Sequence, residues 1–398
     1  MRFSFLQKQT ALKVTLLLAA SLTVMSGATI APSLPTMKEY FREVPQVALL
    51  TKLVLTIPAL LIAITAPLVG GLVNRLGRLR LLYISLLLYA LAGSTGLWMD
   101  NLYSILVGRA LLGVSVGGIM TVISTLVGDY FTGEARDKFS GLQSLFMAAG
   151  GVVVVGVGGL LTDINWRYPF ALYLFSLIVI GLVAISLYEP QLEEQTSSTT
   201  PTQPLPAKTI SLVLLTLFVA MAIFYLTPVQ IPFLLEKRGI ITASLSGLAI
   251  SFSTIGGAIS AYFYARLKKK FSFYYLFAFT FGALAIGYGL VGSFSAYSIT
   301  LLGLFISGTG VGILMPNGTI WLLSITPLKK RALVMGLFTS ALFLGQFFSP
   351  IIVQPVDTAV GLPNTFLITG GLAAVSAIIY GLLGKYNLLK TSSKEASV

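Results

Sequence analysis

The chain has 398 residues, of which 56% are hydrophobic and 10% charged, where an ordinary soluble domain carries about 25% charged residues. A mean hydropathy of +0.91 leaves too little polar surface for a water-soluble particle, so the composition is that of an integral membrane protein. There is no cysteine and no histidine, which excludes a disulfide framework, a Cys-based metal site, a Cys nucleophile and a His general base. The net charge of +13 points to nucleic acid only if the cations share one solvated surface.

A membrane-crossing helix needs roughly 20 mostly apolar residues, and twelve such stretches run along the chain. Span 1 (14–34) follows a basic N-terminus, as a signal peptide would. It is longer than a typical signal core and has no clear cleavage site, so it is expected to remain as a span. It holds Ser26 and Thr29. Span 2 (47–70) holds Lys52 and Pro58 and leads through a Gly-Arg-rich turn into span 3 (80–98). Span 4 (102–126) carries Arg109, Gly113 and Gly117. Span 5 (138–160) holds Gln143, Gly141, Gly150, Gly158 and Gly159, and span 6 covers 168–187.

The stretch 189–208 is rich in Ser, Thr, Pro and Glu and reads as a solvated linker that cannot bury a core. Span 7 (209–230) holds Tyr225. Spans 8 (244–264) and 9 (273–291) precede span 10 (297–322), which contains Pro316-Asn317. Span 11 (332–353) holds Gln346 and Pro350, and span 12 covers 364–386. The expected organisation is an N-terminal bundle of six helices over 1–188, the linker 189–208, and a C-terminal bundle of six over 209–398.

With the N-terminus placed in the cytoplasm, 19 of the 26 Lys and Arg residues fall on cytoplasmic segments and five outside, with Lys52 and Arg109 inside spans. This is the positive-inside bias. It reads +13 as a topology signal, places both termini in the cytoplasm, and removes the nucleic-acid reading.

The second half repeats the first. Tyr103-Ser104-Ile105 opens span 4 and Tyr297-Ser298-Ile299 opens span 10. Gly118-Ile119-Met120 matches Gly312-Ile313-Leu314. Arg136 with Gly141 and Gly150 matches Arg331 with Gly336 and Gly345, and Arg75 matches Arg266. Six spans repeated in one orientation imply two similar bundles related by an axis along the membrane normal, rocking around a midplane site.

These residues carry a family resemblance. Gly70-Gly71-Leu72-Val73-Asn74-Arg75-Leu76-Gly77-Arg78-Leu79-Arg80 resembles the loop 2–3 signature of the major facilitator superfamily, G-x-L-x-D-R-x-G-R-x-R. Arg109 with Gly113 and Gly117 resembles its span 4 motif. Asp129, Arg136 and Gly141, followed by Trp166-Arg167-Tyr168-Pro169-Phe170, resemble its loop 4–5 and the start of its span 6. The twelve-span drug and metabolite efflux branch is the most similar. The resemblance implies an all-α fold of two six-helix bundles, and a gating role for Gly71, Asn74, Arg75, Gly77, Arg78, Asp129 and Arg136. Two positions depart from the pattern. Asn74 stands where the family has Asp, so the loop lacks that negative charge. Val154 and Val155 stand where the antiporter signature G-x8-G-x3-G-P-x2-G-G has Gly-Pro, although Gly141, Gly150, Gly158 and Gly159 keep its spacing.

Arg109 lies about 10 Å into span 4 at 1.5 Å per residue, where a charge costs at least about 2.5 kcal/mol unless paired or hydrated. It is either a structural Arg bonded to carbonyls or a cavity Arg that meets an anionic group. Lys52 either snorkels to the headgroups or joins Arg109 in a cationic cavity that favours anionic substrates. Ser26, Thr29, Gln143, Tyr225, Asn317 and Gln346 are the polar candidates for cavity contacts. Gly113, Gly117, Gly141, Gly150, Gly158 and Gly159 are candidates for helix packing. None of the 13 carboxylates falls near the centre of a span. The expected function is a monomeric secondary transporter in the cytoplasmic membrane that exports a small organic molecule by alternating access. Protons are the candidate coupling ion, and no metal or cofactor is expected. A lipid or glycolipid flippase and an uncoupled uniporter stay open. An enzyme is disfavoured by the lack of a nucleophile or acid–base pair, and direct ATP drive by the lack of a P-loop.

Overall fold

A computed structural model describes residues 2–190, 205–327 and 330–395, without the side chains of 2–8, 74, 137 and 387–395. Among the described residues, twelve helices are long and apolar enough to cross a membrane: Gln9–Tyr40, Val47–Val73, Arg78–Leu97, Leu102–Tyr130, Gly133–Ile164, Tyr168–Ser186, Ala207–Lys237, Ala243–Lys268, Phe273–Ser293, Tyr297–Ile325, Arg331–Val360 and Leu362–Tyr386. They are spans 1 to 12. Several run a turn or two past the apolar stretch, because a helix continues into the headgroup layer until a residue there ends it. Spans 2 and 11 end at Gly77 and Gly361, whose φ angles of 85° and 80° carry the chain out of the helix. Residues 191–204 of the expected linker lie outside the described residues.

The chain divides into two compact units. Unit 1 comprises Met1–Thr202 and Ile240–Leu248, and unit 2 comprises Gln203–Gly239 and Ala249–Val398. The first turn of span 8 therefore packs with unit 1. Asp163, near the end of span 5, accepts hydrogen bonds from the backbone N–H groups of Ala243 (2.7 Å) and Ser244 (3.2 Å). A carboxylate there satisfies two of the donors a helix start leaves open and meets the positive end of its dipole.

Within each unit the same packing recurs. In unit 1, Gly113 faces Pro58 and Leu61 of span 2, and Gly117 faces Thr65. In unit 2, Gly308 faces Ser253 of span 8, and Gly312 faces Gly257 and Ser260. Each position has its counterpart 195 residues later (58 and 253, 113 and 308, 117 and 312). By packing, the counterpart of Gly312 in the repeat is thus Gly117, one residue before the Gly118 that the sequence match aligns with it. Gly118 instead faces Ser85 of span 3. In both units the missing Cβ lets two helix backbones approach closely, which is how spans associate when lipid supplies no hydrophobic drive.

Spans 1 and 7 are both broken. The α-helix of span 1 ends at Met25 and resumes as a 3₁₀ turn at Ala28–Ser33, and the first helix of span 7 ends at Phe224. A tyrosine from the third span of each unit reaches the break. Tyr89 donates to the Leu22 carbonyl (2.8 Å), and Tyr288 donates to the carbonyls of Ile223 (3.1 Å) and Phe224 (2.9 Å). The Phe224 carbonyl would ordinarily accept the N–H of residue 228, which is a proline and has none. Each tyrosine ring also packs on an aromatic from the sixth span: Tyr173 at 5.6 Å in unit 1 and Phe366 at 5.2 Å in unit 2. At the far ends, Arg167 ties spans 3 and 6 through the carbonyls of Gly96 and Met99 and the carboxylate of Asp100 (2.5 Å). Arg238 ties spans 7, 9 and 10 through the Val291 carbonyl (2.6 Å) and Thr300 (3.0 Å), and desolvation lowers its pKa from the usual value.

Gly308→Val should cost roughly 1–3 kcal/mol by overpacking against the Ser253 backbone, read as a lowered unfolding temperature in detergent. Gly289→Ala, where a Cβ meets nothing within 4 Å, should be neutral or stabilising, since Ala is the better helix former by roughly 0.5–1 kcal/mol.

Candidate functional site

Pro58 interrupts span 2, and its missing N–H leaves the carbonyl of Val54, four residues earlier, without a helical donor. The break in span 1 places the Ser26 carbonyl between two helical segments. An uncovered carbonyl in hydrocarbon costs several kcal/mol. Arg109 of span 4 covers both. Its Nε donates to the Val54 carbonyl at 2.9 Å, and its Nη2 donates to the Ser26 carbonyl at 2.7 Å. The side chain is fully buried, and its guanidinium carbon lies 5.0 Å from the centroid of the Tyr173 ring. The third nitrogen, Nη1, has no hydrogen-bond partner among the described residues, and neither does the Tyr173 hydroxyl. Two of the three guanidinium nitrogens thus follow the structural reading, and one remains available to an anionic or carbonyl acceptor.

The hydroxyls near this arginine turn to their own helix. Ser26 donates to the Thr23 carbonyl (2.7 Å), and Thr29 donates to the Met25 carbonyl. Lys52 is buried, with 3% of its surface exposed. Gln143 is half-buried on span 5. Of the candidate packing glycines, Gly113, Gly117, Gly158 and Gly159 face a neighbouring segment closely, and Gly150 meets Ser21 at ordinary contact distance. Gly141 faces open space.

In unit 2, Tyr225 and Gln346 are buried at the break of span 7 and in span 11. Asn317 is fully buried, and both ends of its amide are engaged inside the unit. Nδ2 donates to the Phe273 carbonyl (3.0 Å), and Oδ1 accepts from the Tyr264 hydroxyl (3.3 Å). It ties spans 8, 9 and 10, where the sequence suggested a cavity contact beside Pro316. The amide left without partners is Gln230 of span 7. It is 1% exposed, and neither Oε1 nor Nε2 is bonded among the described residues. Sequence reasoning passed over it, although a lone amide between Pro228 and Pro232 in an apolar run was a usable signal.

The loop 2–3 residues form a second cluster, at the end of unit 1 where its chain enters and leaves. Gly77 takes a φ of 85° and has the Glu189 carboxylate 3.2 Å from where a Cβ would sit, so both its backbone angle and its lack of a side chain are required. Glu189 then caps span 3, accepting from the backbone N–H of Arg78 (2.7 Å) and of Leu79 (2.9 Å). The Arg78 side chain is buried and pairs with Asp129 at the end of span 4 (3.3 Å). Tyr130 donates to the Tyr188 carbonyl (2.5 Å). This cluster binds the start of span 3 and the ends of spans 4 and 6 into one piece. Arg75 and Arg136 are exposed, Gly71 faces open space, and the side chain of Asn74 lies outside those described. Glu189 was read as the first linker residue, because nothing local shows that the chain returns to span 3.

Among the described residues no group of three or more acidic side chains could hold a metal ion. The arrangement orders helices and buries the cations Lys52, Arg78 and Arg109. The family comparison agrees with it. The model described as Major Facilitator Superfamily matches residues 16–240 and 212–396, and the chain belongs to that superfamily. It is a multi-pass cell-membrane transporter. It is 27% identical over 180 residues to the multidrug transporter protein MdtP of Bacillus subtilis, covering 45% of this chain and 32% of that one, so it spans about a third of that relative's length. It is 24% identical over 330 residues to the quinolone resistance protein NorA of Staphylococcus aureus, covering 79% of this chain and 83% of that protein. The crystal structure of a D-xylose–proton symporter superposes with a TM-score of 0.75 at 16% identity, over 93% of this chain and 97% of that one, which shows the shared fold.

A mutant cycle checks the carbonyl clamp. Arg109→Met should destabilise by about 2 kcal/mol or more, because each uncovered buried acceptor costs roughly 1–3 kcal/mol. Pro58→Ala restores a donor for Val54, so the same change in that background should cost less, with a coupling of roughly 0.5–3 kcal/mol. Additive costs in an unfolding titration would refute the clamp. Separately, Glu189→Ala should lower stability by about 1 kcal/mol through loss of the cap, while Glu189→Gln should retain part of it.

Proposed function

We propose that the chain exports a small, drug-like organic molecule from the cytoplasm by alternating access of its two bundles, with both termini on the cytoplasmic side. The observation that carries this reading is the similarity to NorA over 79% of the chain, a relative whose name records quinolone resistance. The charge bias of the connecting segments supports the orientation. In this reading the repeated glycine contacts between spans 2 and 4 and between spans 8 and 10 make each bundle a rigid body, and the broken spans 1 and 7 are the helices that adjust.

Arg109 and Gln230 are the proposed contact residues. Each presents buried hydrogen-bonding atoms without partners among the described residues, and such atoms are costly to leave unmade and favourable to satisfy with a ligand. Arg109 Nη1 suits an anionic or carbonyl acceptor, and Gln230 suits a neutral polar group. Coupling to protons is proposed without a carboxylate at the centre of a span, so substrate and proton movement would both act on the Arg109 region.

The test is uptake of a fluorescent quinolone into proteoliposomes under an imposed pH gradient. Accumulation that collapses with the gradient is expected. Transport indifferent to the gradient would refute proton coupling, and no transport of any quinolone would refute the substrate class. Gln230→Leu should raise KM for a transported substrate by roughly tenfold, the equivalent of about one lost hydrogen bond, with no loss of folded yield.

A further inference from the structure

The two units differ in charge. Unit 1 carries 13 Lys and Arg against ten Asp and Glu, whereas unit 2 carries 13 against three. Two of those three, Glu236 and Asp357, lie in the last turns of spans 7 and 11, at the end of unit 2 opposite to where its chain enters and leaves. The third, Glu395, closes the last helix. The cations gather at the other end. Arg266 and Lys268 finish span 8, Lys269 and Lys270 follow in the turn, and Lys330 and Arg331 begin span 11.

Among the described residues, the contacts of Arg266, Lys268 and Arg331 are with uncharged groups. Arg331 donates to the carbonyls of Thr326 (3.3 Å) and Leu323 (3.2 Å). Lys268 donates to the Phe271 carbonyl (3.4 Å) and lies 3.9 Å from the Phe273 ring centroid. Arg266 lies 5.4 Å from that of Phe263. Among the described residues, no ion pair involves any of them. The matching end of unit 1 holds two ion pairs, Arg78 with Asp129 at 3.3 Å and Lys138 with Glu134 at 2.8 Å. Among the described residues the cations at this end of unit 2 have no such acidic partner.

The surroundings say from where. Arg266, Lys269 and Lys270 are exposed, and beside them Phe271 and Tyr262 are exposed at 46% and 75%. Aromatic and basic side chains together at a span end are the composition of the headgroup layer. Span 9 starts in the same turn. Its preceding residue, Ser272, makes no side-chain capping bond, so the first N–H groups of that helix and the positive end of its dipole add to the field.

We propose that this end of unit 2, centred on Arg266–Lys270, is a docking surface for anionic lipid headgroups, whose phosphates supply the counter-charge the unit lacks. A soluble polyanion would find the same charge. The lipid is the occupant because the cations lie at span ends, in the layer where headgroup phosphates are already concentrated, and because exposed aromatics accompany them. Juxtamembrane cations gain a several-fold preference for anionic surfaces per residue. The proposal holds whatever the transported substrate and its direction.

The experiment uses the full chain in phosphatidylcholine vesicles with a trace of spin-labelled phosphatidylglycerol or spin-labelled phosphatidylcholine, and reads their relative association by electron paramagnetic resonance. Phosphatidylglycerol should be preferred several-fold at low salt. The preference should fall as the Debye length shrinks from about 30 Å at 0.01 M toward about 3 Å at 1 M salt. Lys269→Gln with Lys270→Gln should reduce it about fivefold or to parity, Lys269→Arg with Lys270→Arg should keep it, and Lys138→Gln in unit 1 should leave it unchanged. Equal association of the two lipids with the wild-type chain overturns the proposal. So does a preference that survives the double Gln substitution, or is lost in the charge-retaining Arg pair. Abolition of the preference by millimolar inorganic phosphate would assign the surface to a soluble anion and would also overturn it.

Discussion

Inside hydrocarbon a backbone carbonyl has no water to turn to, and this constraint organises both halves of the protein. Proline at 58 and at 228 each removes an N–H that a carbonyl four residues earlier would have used, and spans 1 and 7 both break near their middles. Every carbonyl so released must find a donor on another helix. In unit 1 that donor is chiefly Arg109, which covers Val54 and Ser26 at once. In unit 2 it is Tyr288, which covers Ile223 and Phe224. A guanidinium forked between two spans and a phenol laid across a break are different chemical answers to one problem. In both, the irregular backbone that lets a span bend is held by a side chain from a neighbouring span.

Repetition and divergence therefore sit side by side. The glycine contacts between the second and fourth spans of each unit keep a common offset, because close backbone approach tolerates no side chain in either copy. The residue at the Arg109 position of the repeat is Leu304, so unit 2 buries no cation in its fourth span. Among the described residues its buried polar atoms without a partner include both ends of the Gln230 amide. The charge at the span ends diverges as well, with ion pairs of Arg78 and Lys138 at one end of unit 1 and Arg331 of unit 2 bonded to backbone carbonyls.

Much of this was legible in the chain. Twelve apolar stretches, their polar interruptions and the recurring Gly and Arg landmarks specify a twelve-span, two-bundle transporter fold, because each span answers to a local rule of length and hydropathy. Arg109 stood out for the same reason, since a charge deep in an apolar run has a high cost wherever it points. The loop 2–3 signature located the segment that organises one end of unit 1. Less legible were residues whose meaning lies in what they meet. Glu189 looked like linker, yet its carboxylate closes the first turn of span 3, more than a hundred residues earlier in the chain. Asn317 looked like a cavity residue beside a proline, yet both ends of its amide are taken by spans 8 and 9. Periodicity and composition carry no record of such long-range partners.

Taken alone, the chain establishes the solvent it lives in, the number of crossings and the two-fold repetition, because hydropathy and helix length act residue by residue along the sequence. Which polar groups are committed and which are spare is settled by folding, because that depends on the three-dimensional neighbourhood of each atom. Arg109 is the clearest case. Its sequence position makes it conspicuous, but only with Val54 and Ser26 in place do two of its nitrogens become structural while the third has no partner among the described residues.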